Sequence, residues 1–173
     1  MKTPNIVVMG VAGCGKSSLG QALAAALSST YIEGDRFHPP ENIARMQAGI
    51  ALTDADRAGW LAQLAAQLAK ARAEQQAVVL ACSALKQRYR DTLRSGDPDL
   101  LLVHLKGDKA VIAERMAARD AHFMPTSLLD SQFADLEPPE AQRENVITLD
   151  VSQPLSTLLQ HSLQQIAQRQ SQA

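Results

Sequence analysis

Gly10-Val11-Ala12-Gly13-Cys14-Gly15-Lys16-Ser17 fits G-x-x-x-x-G-K-[ST] with nothing missing, and its reading decides the rest of the chain. A polyphosphate needs many donors at short range, so the backbone must turn its N–H groups inward around it. Glycines permit that turn and leave room for the phosphates. An apolar run over residues 5–9 precedes the motif and a helical period over 17–27 follows it. The helix then aims its positive dipole end at the anion. Lys16 reaches the β- and γ-phosphates and Ser17 offers a hydroxyl to Mg²⁺. The candidate nucleotide-binding stretch runs from Gly10 through Ser18. By average residue usage, such a pattern arises by chance in about one in a few hundred chains of this length.

Outward from the loop, short apolar runs alternate with longer helical periods. Strands are expected at residues 5–9, 30–33, 78–82, 100–105 and 146–150. Most are nearly continuous apolar runs, as strands covered on both faces require. Helices are expected at 17–27, from Ser83 as cap to just before Gly96, at 109–118 with Asp108 as cap, and from Pro154 to 166. This is an α/β chain: a three-layer sandwich with a five-stranded parallel sheet and helices on both faces. Two stretches break the alternation. Residues 38–77 have room for two helices, one from the Pro39-Pro40 pair to about Gly49 and one opened by Thr53 and Asp56 as a capping box. There Leu61, Leu64 and Leu68 line one face, and with Trp60 they read as core. Residues 120–139 carry Pro125 near one end and Pro138-Pro139 at the other, with space for a short helix between. Ligand sites in such folds lie at the carboxyl ends of the strands, so both insertions are candidates for the site, the second as a lid.

The composition sets limits. The 173 residues make one domain, and 46% apolar content supports a sizeable core. Seventeen basic against eighteen acidic residues give a net charge of −1, without the basic footprint of a nucleic-acid binder. No run of 18 apolar residues spans a membrane. The N-terminus enters a core strand with no signal-peptide cleavage pattern, and Cys14 and Cys82 are too few for a disulfide framework or a metal cluster. A cytoplasmic location is expected.

The loop occurs in several classes of protein. A GTPase needs an N-K-x-D guanine reader, which is absent; Asp56-Arg57-Ala58-Gly59 fits D-x-x-G only in form, at a helix start. A motor or transporter ATPase ends a strand in an aspartate for magnesium. The third strand here, VVLAC, ends without one, and Asp150 closes a strand expected at the sheet edge. Glu33 and Asp35, at and just after the end of the second strand, are the carboxylates left to serve. That arrangement resembles small-molecule kinases of the shikimate kinase type, in which a D-x-D at this place positions magnesium and the acceptor hydroxyl. Three further blocks resemble the gluconokinase family more narrowly. They are Glu33-Gly34-Asp35-Arg36-Phe37-His38-Pro39 continuing through Asn42 and Met46 to Trp60-Leu61; Cys82-Ser83-Ala84-Leu85-Lys86 with Tyr89-Arg90-Asp91; and Leu105-Lys106-Gly107-Asp108 with Arg115, Arg119, His122-Phe123-Met124 and Ser131-Gln132-Phe133. Glu33 departs from the aspartate that many relatives carry; it is one methylene longer and keeps the charge.

The resemblance implies a P-loop kinase fold and an enzyme that transfers the γ-phosphoryl of ATP, with Mg²⁺, to the 6-hydroxyl of D-gluconate. A homodimer is implied on the same ground. Lys16, Asp35, Arg115 and Arg119 would be catalytic, Asp35 by orienting or deprotonating the acceptor hydroxyl and the two arginines by stabilising charge as the lid closes. Ser17 and Glu33 would serve the metal, Glu33 through a bound water. Asp35, His38, Arg45, Arg57, Ser83, Lys86 and Arg90 would hold the acceptor. Each has a plainer role open to it: Asp35 as a turn cap, His38 as a surface turn residue, Ser83 as a helix cap, the basic residues as solvated helix charges. A shikimate-type kinase and a non-catalytic nucleotide-binding regulator remain the alternatives.

Overall fold

A computed structural model describes residues 3–118 and 126–172. Five strands, β1 (Ile6–Met9), β2 (Thr30–Glu33), β3 (Val78–Ala81), β4 (Leu101–Lys106) and β5 (Val146–Asp150), form one parallel sheet in the order β2-β3-β1-β4-β5. The expected strands agree with these to within a residue at each end. The helices are α1 (Lys16–Ala26), α2 (Pro40–Gln47), α3 (Asp54–Ala73), α4 (Gln87–Gly96), α5 (Lys109–Ala117), α6 (Leu129–Asp135) and α7 (Leu155–Gln172). Among the described residues no helix is long and apolar enough to cross a membrane.

The strands read as unbroken apolar runs because alternate residues feed two cores. Ile6, Val8, Leu101, Val103 and Leu105 join Leu19 and Leu23 of α1, Ile112 of α5 and Ile166 of α7. Val7, Met9, Leu80 and Leu102 face the opposite layer, where Leu61, Leu64 and Leu68 of α3 meet Tyr89 and Leu93 of α4. Leu64 and Leu68 are fully buried, each contributing about 1.5–3 kcal/mol. The capping box of α3 forms: Asp56 N–H donates to Thr53 Oγ1 at 3.1 Å and Thr53 N–H to the Asp56 carboxylate at 2.8 Å.

Three helix ends differ from expectation: α7 runs on to Gln172, six residues past the expected end at 166, and both ends of α4 are displaced. Gly96 is the last residue of α4, not the residue beyond it. A side chain there would collide with the Ala65 carbonyl, so this glycine permits α4 to lie close against α3. At the other end, Ser83 does not cap α4. The helix starts at Gln87 with Lys86 at its N-cap, because Ala84 takes a left-handed conformation (φ 45°) that breaks the path from Ser83. Arg90 holds that bend in place. Its guanidinium donates to the carbonyls of Ala84 and Leu85, both at 3.0 Å, and forks onto Glu144 at 2.8–3.2 Å. Arg90 is 1% exposed and Glu144, which also pairs with Arg94, is 7% exposed.

A buried pair broken on one side leaves a desolvated charge without its counter-ion. Glu144→Gln should therefore lower the free energy of unfolding by about 3 kcal/mol. Urea denaturation reads this directly, and an unchanged midpoint would mean that Arg90 finds its compensation elsewhere.

Candidate active site

The carboxyl rim of the sheet opens on a cavity of about 530 Å³, within the usual size for a small-molecule site. Ala12, Gly13, Gly15, Lys16, Ser17 and Ser18 form one wall. Glu33, Asp35 and Ser83 stand at the strand ends beside it, and His38, Arg57 and Trp60 close the far side. Gly10 launches the loop with φ 148°, and a Cβ there would lie 2.8 Å from the Leu105 carbonyl. The other loop side chains, Val11 and Cys14, are buried in the core below. The loop thus presents backbone to the cavity and anchors itself by its apolar residues.

Ser17 Oγ donates to Glu33 at 2.6 Å, and Tyr31 Oη donates to the same Glu33 oxygen at 2.6 Å. A hydroxyl and a carboxylate oxygen at this spacing are the hard oxygen donors that magnesium accepts, and magnesium needs only one or two such groups beside phosphates and waters. The extra methylene of Glu33 is consistent with this contact. Burial raises the Asp35 carboxyl above its ordinary range; the Lys16 ammonium opposes the shift and Glu33 adds to it. A carboxyl so tuned is suited to taking a proton from a hydroxyl. Cys82 offers no nucleophile, since burial pushes its thiol up to about 12.

The wall opposite the phosphate loop is built largely on α2 and α3. Trp60 donates from Nε1 to the Gly34 carbonyl at 2.8 Å and stacks on His38 with ring centres 4.0 Å apart. Asn42 Nδ2 donates to the Asp56 carbonyl at 2.8 Å, which fixes that atom as nitrogen. The same Nδ2 lies 3.4 Å from His38 Nδ1, so Nδ1 is the acceptor and the imidazole proton sits on Nε2. Burial and the nearby Arg57 guanidinium lower His38 to about 4, so it is a neutral donor at pH 7. Arg57 donates to Tyr89 Oη at 2.9 Å and pairs with Asp135 at 3.3 Å.

Not every expected residue meets the cavity. Arg90 is the buried structural group described above. Lys86 is turned to Asp54 at 3.1 Å and Asp135 at 3.7 Å, and Asp54 also accepts from Tyr89 and from Arg88. Arg45 is half-buried beside Asp56, its Nε 3.7 Å from that carboxylate, and Arg115 donates to the Val151 carbonyl. None of these four lines the cavity. Arg119 lies outside the described residues, as does 120–125 of the segment expected as a lid. The rest of that segment packs on the body: Leu128 and Leu129 are buried, and Glu137 N–H donates to the Leu85 carbonyl at 2.9 Å. Trp60 is both core and cavity wall. Gln132 went without a role in the sequence, although it stands in the Ser131-Gln132-Phe133 block. It is 7% exposed, lines the cavity and accepts from Ala12 N–H at 2.7 Å.

A phosphate loop, an acidic strand end beside it and a separate polar wall define the class: a P-loop kinase with room for a small acceptor. A family model described as shikimate kinase matches residues 12–171. The chain is 38% identical over 166 residues to the thermosensitive gluconokinase of Escherichia coli (strain K12), covering 96% of this chain and 89% of that protein. It is 45% identical over 139 residues to the gluconokinase of Gluconobacter oxydans (strain 621H), covering 80% and 78%. The crystal structure of a gluconokinase from Sinorhizobium meliloti 1021 superposes with a TM-score of 0.87 at 47% identity, covering 97% of this chain and 94% of that one. The chain belongs to the gluconokinase family of P-loop small-molecule kinases.

The depressed His38 pKa has a measurable sign. In the unfolded chain the imidazole takes its proton near pH 6.5, in the fold only near 4. Its contribution to stability is complete above about 6.5 and is lost as pH falls toward 4. His104, buried in β4 and also lowered to about 4, acts in the same direction. Imidazolium quenches a stacked indole, so the fluorescence of Trp60, the sole tryptophan, should fall with a midpoint near pH 4. A midpoint near 6.5 would contradict the buried, neutral His38.

Proposed function

We propose that this protein transfers the γ-phosphoryl group of ATP, with Mg²⁺, to the 6-hydroxyl of D-gluconate, giving 6-phospho-D-gluconate and ADP. The observation that carries the reading is the pairing of Lys16 and Asp35 in one cavity, a cation at the phosphate loop and a carboxyl of raised pKa beside it. The hydroxyl oxygen forms the new bond to phosphorus, the bond to the β-phosphate oxygen breaks, and Asp35 accepts the hydroxyl proton. Lys16 and the loop N–H groups stabilise charge on the transferring group. Ser17 and Glu33 would hold Mg²⁺, which would supply positive charge against the phosphates. His38 Nε2–H supplies a neutral donor for an acceptor hydroxyl, and Arg36 and Arg57 supply the positive charge that a sugar-acid carboxylate requires. The rest of the rate comes from alignment of the two substrates. A cytoplasmic location and a homodimer belong to the same reading, the homodimer on family resemblance alone.

The test is ADP release measured with gluconate, with shikimate and with no acceptor. Gluconate should raise the rate at least about 100-fold over no acceptor, with shikimate near the baseline. Equal rates in all three, or a response to shikimate alone, would overturn the assignment. In the same assay Asp35→Asn should lower kcat by roughly 10²–10⁴ while the affinity for a non-hydrolysable ATP analogue changes little. A collapse of analogue affinity with kcat preserved would move Asp35 to the nucleotide site.

A further inference from the structure

The Val11–Ala12 peptide is held at both of its polar groups. Its carbonyl accepts from Lys16 Nζ at 2.9 Å, and its N–H donates to Gln132 Oε1 at 2.7 Å. A peptide unit is planar, with C=O and N–H directed oppositely, so fixing one direction fixes the other. Gln132, together with the Cys14 N–H that donates to the same carbonyl at 3.4 Å, therefore sets the orientation of the carbonyl that holds Lys16. Three residues further on, on the same face of α6, Asp135 pairs with Arg57 at 3.3 Å and lies 3.7 Å from Lys86. Arg57 in turn faces the pocket of His38, whose pKa it helps to lower. One short helix thus touches the phosphate loop with one side chain and the acceptor wall with the next.

We propose that α6 couples the two halves of the active site, with Gln132 and Asp135 as positioning residues that transmit nucleotide binding at the loop to Arg57 and the acceptor wall. Anything that reorients the Val11–Ala12 peptide moves the Gln132 acceptor, and the helix carries that displacement to Asp135. Coupling through such a path is a difference in free energy between sites and works in both directions. The proposal goes beyond the kinase reading but can be tested without the acceptor, so its failure is separate from a failure of gluconate as substrate.

Trp60, stacked on His38, is the reporter of the acceptor wall. Saturating a non-hydrolysable ATP analogue with Mg²⁺ should change its fluorescence in the unaltered protein. Gln132→Met keeps the shape and removes the acceptor, while Asp135→Asn removes the charge that pairs with Arg57. Each should cut the amplitude at saturation at least about threefold although calorimetry still shows the analogue bound, and the double variant should lose little more. A helix that merely supports the fold would change melting temperature and leave the amplitude at saturation intact. No response in the unaltered protein, or a full response in either variant, would overturn the coupling.

Discussion

The parallel register of β2, β3 and β1 sets the height at which everything chemical leaves the sheet. Ile32 is level with Leu80 and Leu80 with Val7, so Glu33, Ala81 and Val8 also stand level across the three strands. The phosphate loop begins two residues above Val8, and Asp35 lies two above Glu33. A one-residue slip would turn each strand's core side chains to the wrong layer. The two apolar cores thus lock the register, and the register brings Ser17 within 2.6 Å of Glu33. Packing energy far from the site holds the distances at the site.

The same rim creates the electrostatics. Lys16, Glu33 and Asp35 converge at strand ends where burial is partial, so the carboxyl of Asp35 is shifted by desolvation and by both neighbours. Farther out, His38 loses its proton to burial and to Arg57, which leaves the wall opposite the phosphate loop a set of neutral and cationic donors. A polyhydroxylated acid needs such donors, and an anionic wall would repel it. Arg57 can stand there because Tyr89 and Asp135 already satisfy part of its guanidinium.

How much was legible in the sequence follows from the range of each interaction. The loop, the strands and the Thr53 cap are local patterns, and they stand where the sequence reading expected them. The cavity positions of Glu33, Asp35, His38 and Ser83 were readable because these residues end β2 or stand within five residues of the end of β2 or β3. Arg90 and Lys86 were not. Helical spacing puts them on one face but is blind to Glu144, 54 residues on, and to Asp54, 32 residues back. The bend at Ala84 that displaces Ser83 from its capping role depends on Arg90, so one long-range pair produced both surprises. Gln132 was hidden for a related reason: its partner is a backbone N–H 120 residues earlier, which carries no side-chain signature. Gly96 looked like a helix stop by composition, whereas its small size serves the α3–α4 contact.

In the proposed reaction, one cavity brings the γ-phosphoryl group and a sugar-acid hydroxyl together under Lys16 and Asp35. Phosphorus NMR of the reaction run with gluconate enriched in ¹³C at the sixth carbon tests it most directly. A product phosphate monoester should appear whose phosphorus signal is split by the labelled carbon, in amounts matching the ADP formed. Inorganic phosphate alone, or a phosphate ester without that splitting, would contradict transfer to the 6-hydroxyl.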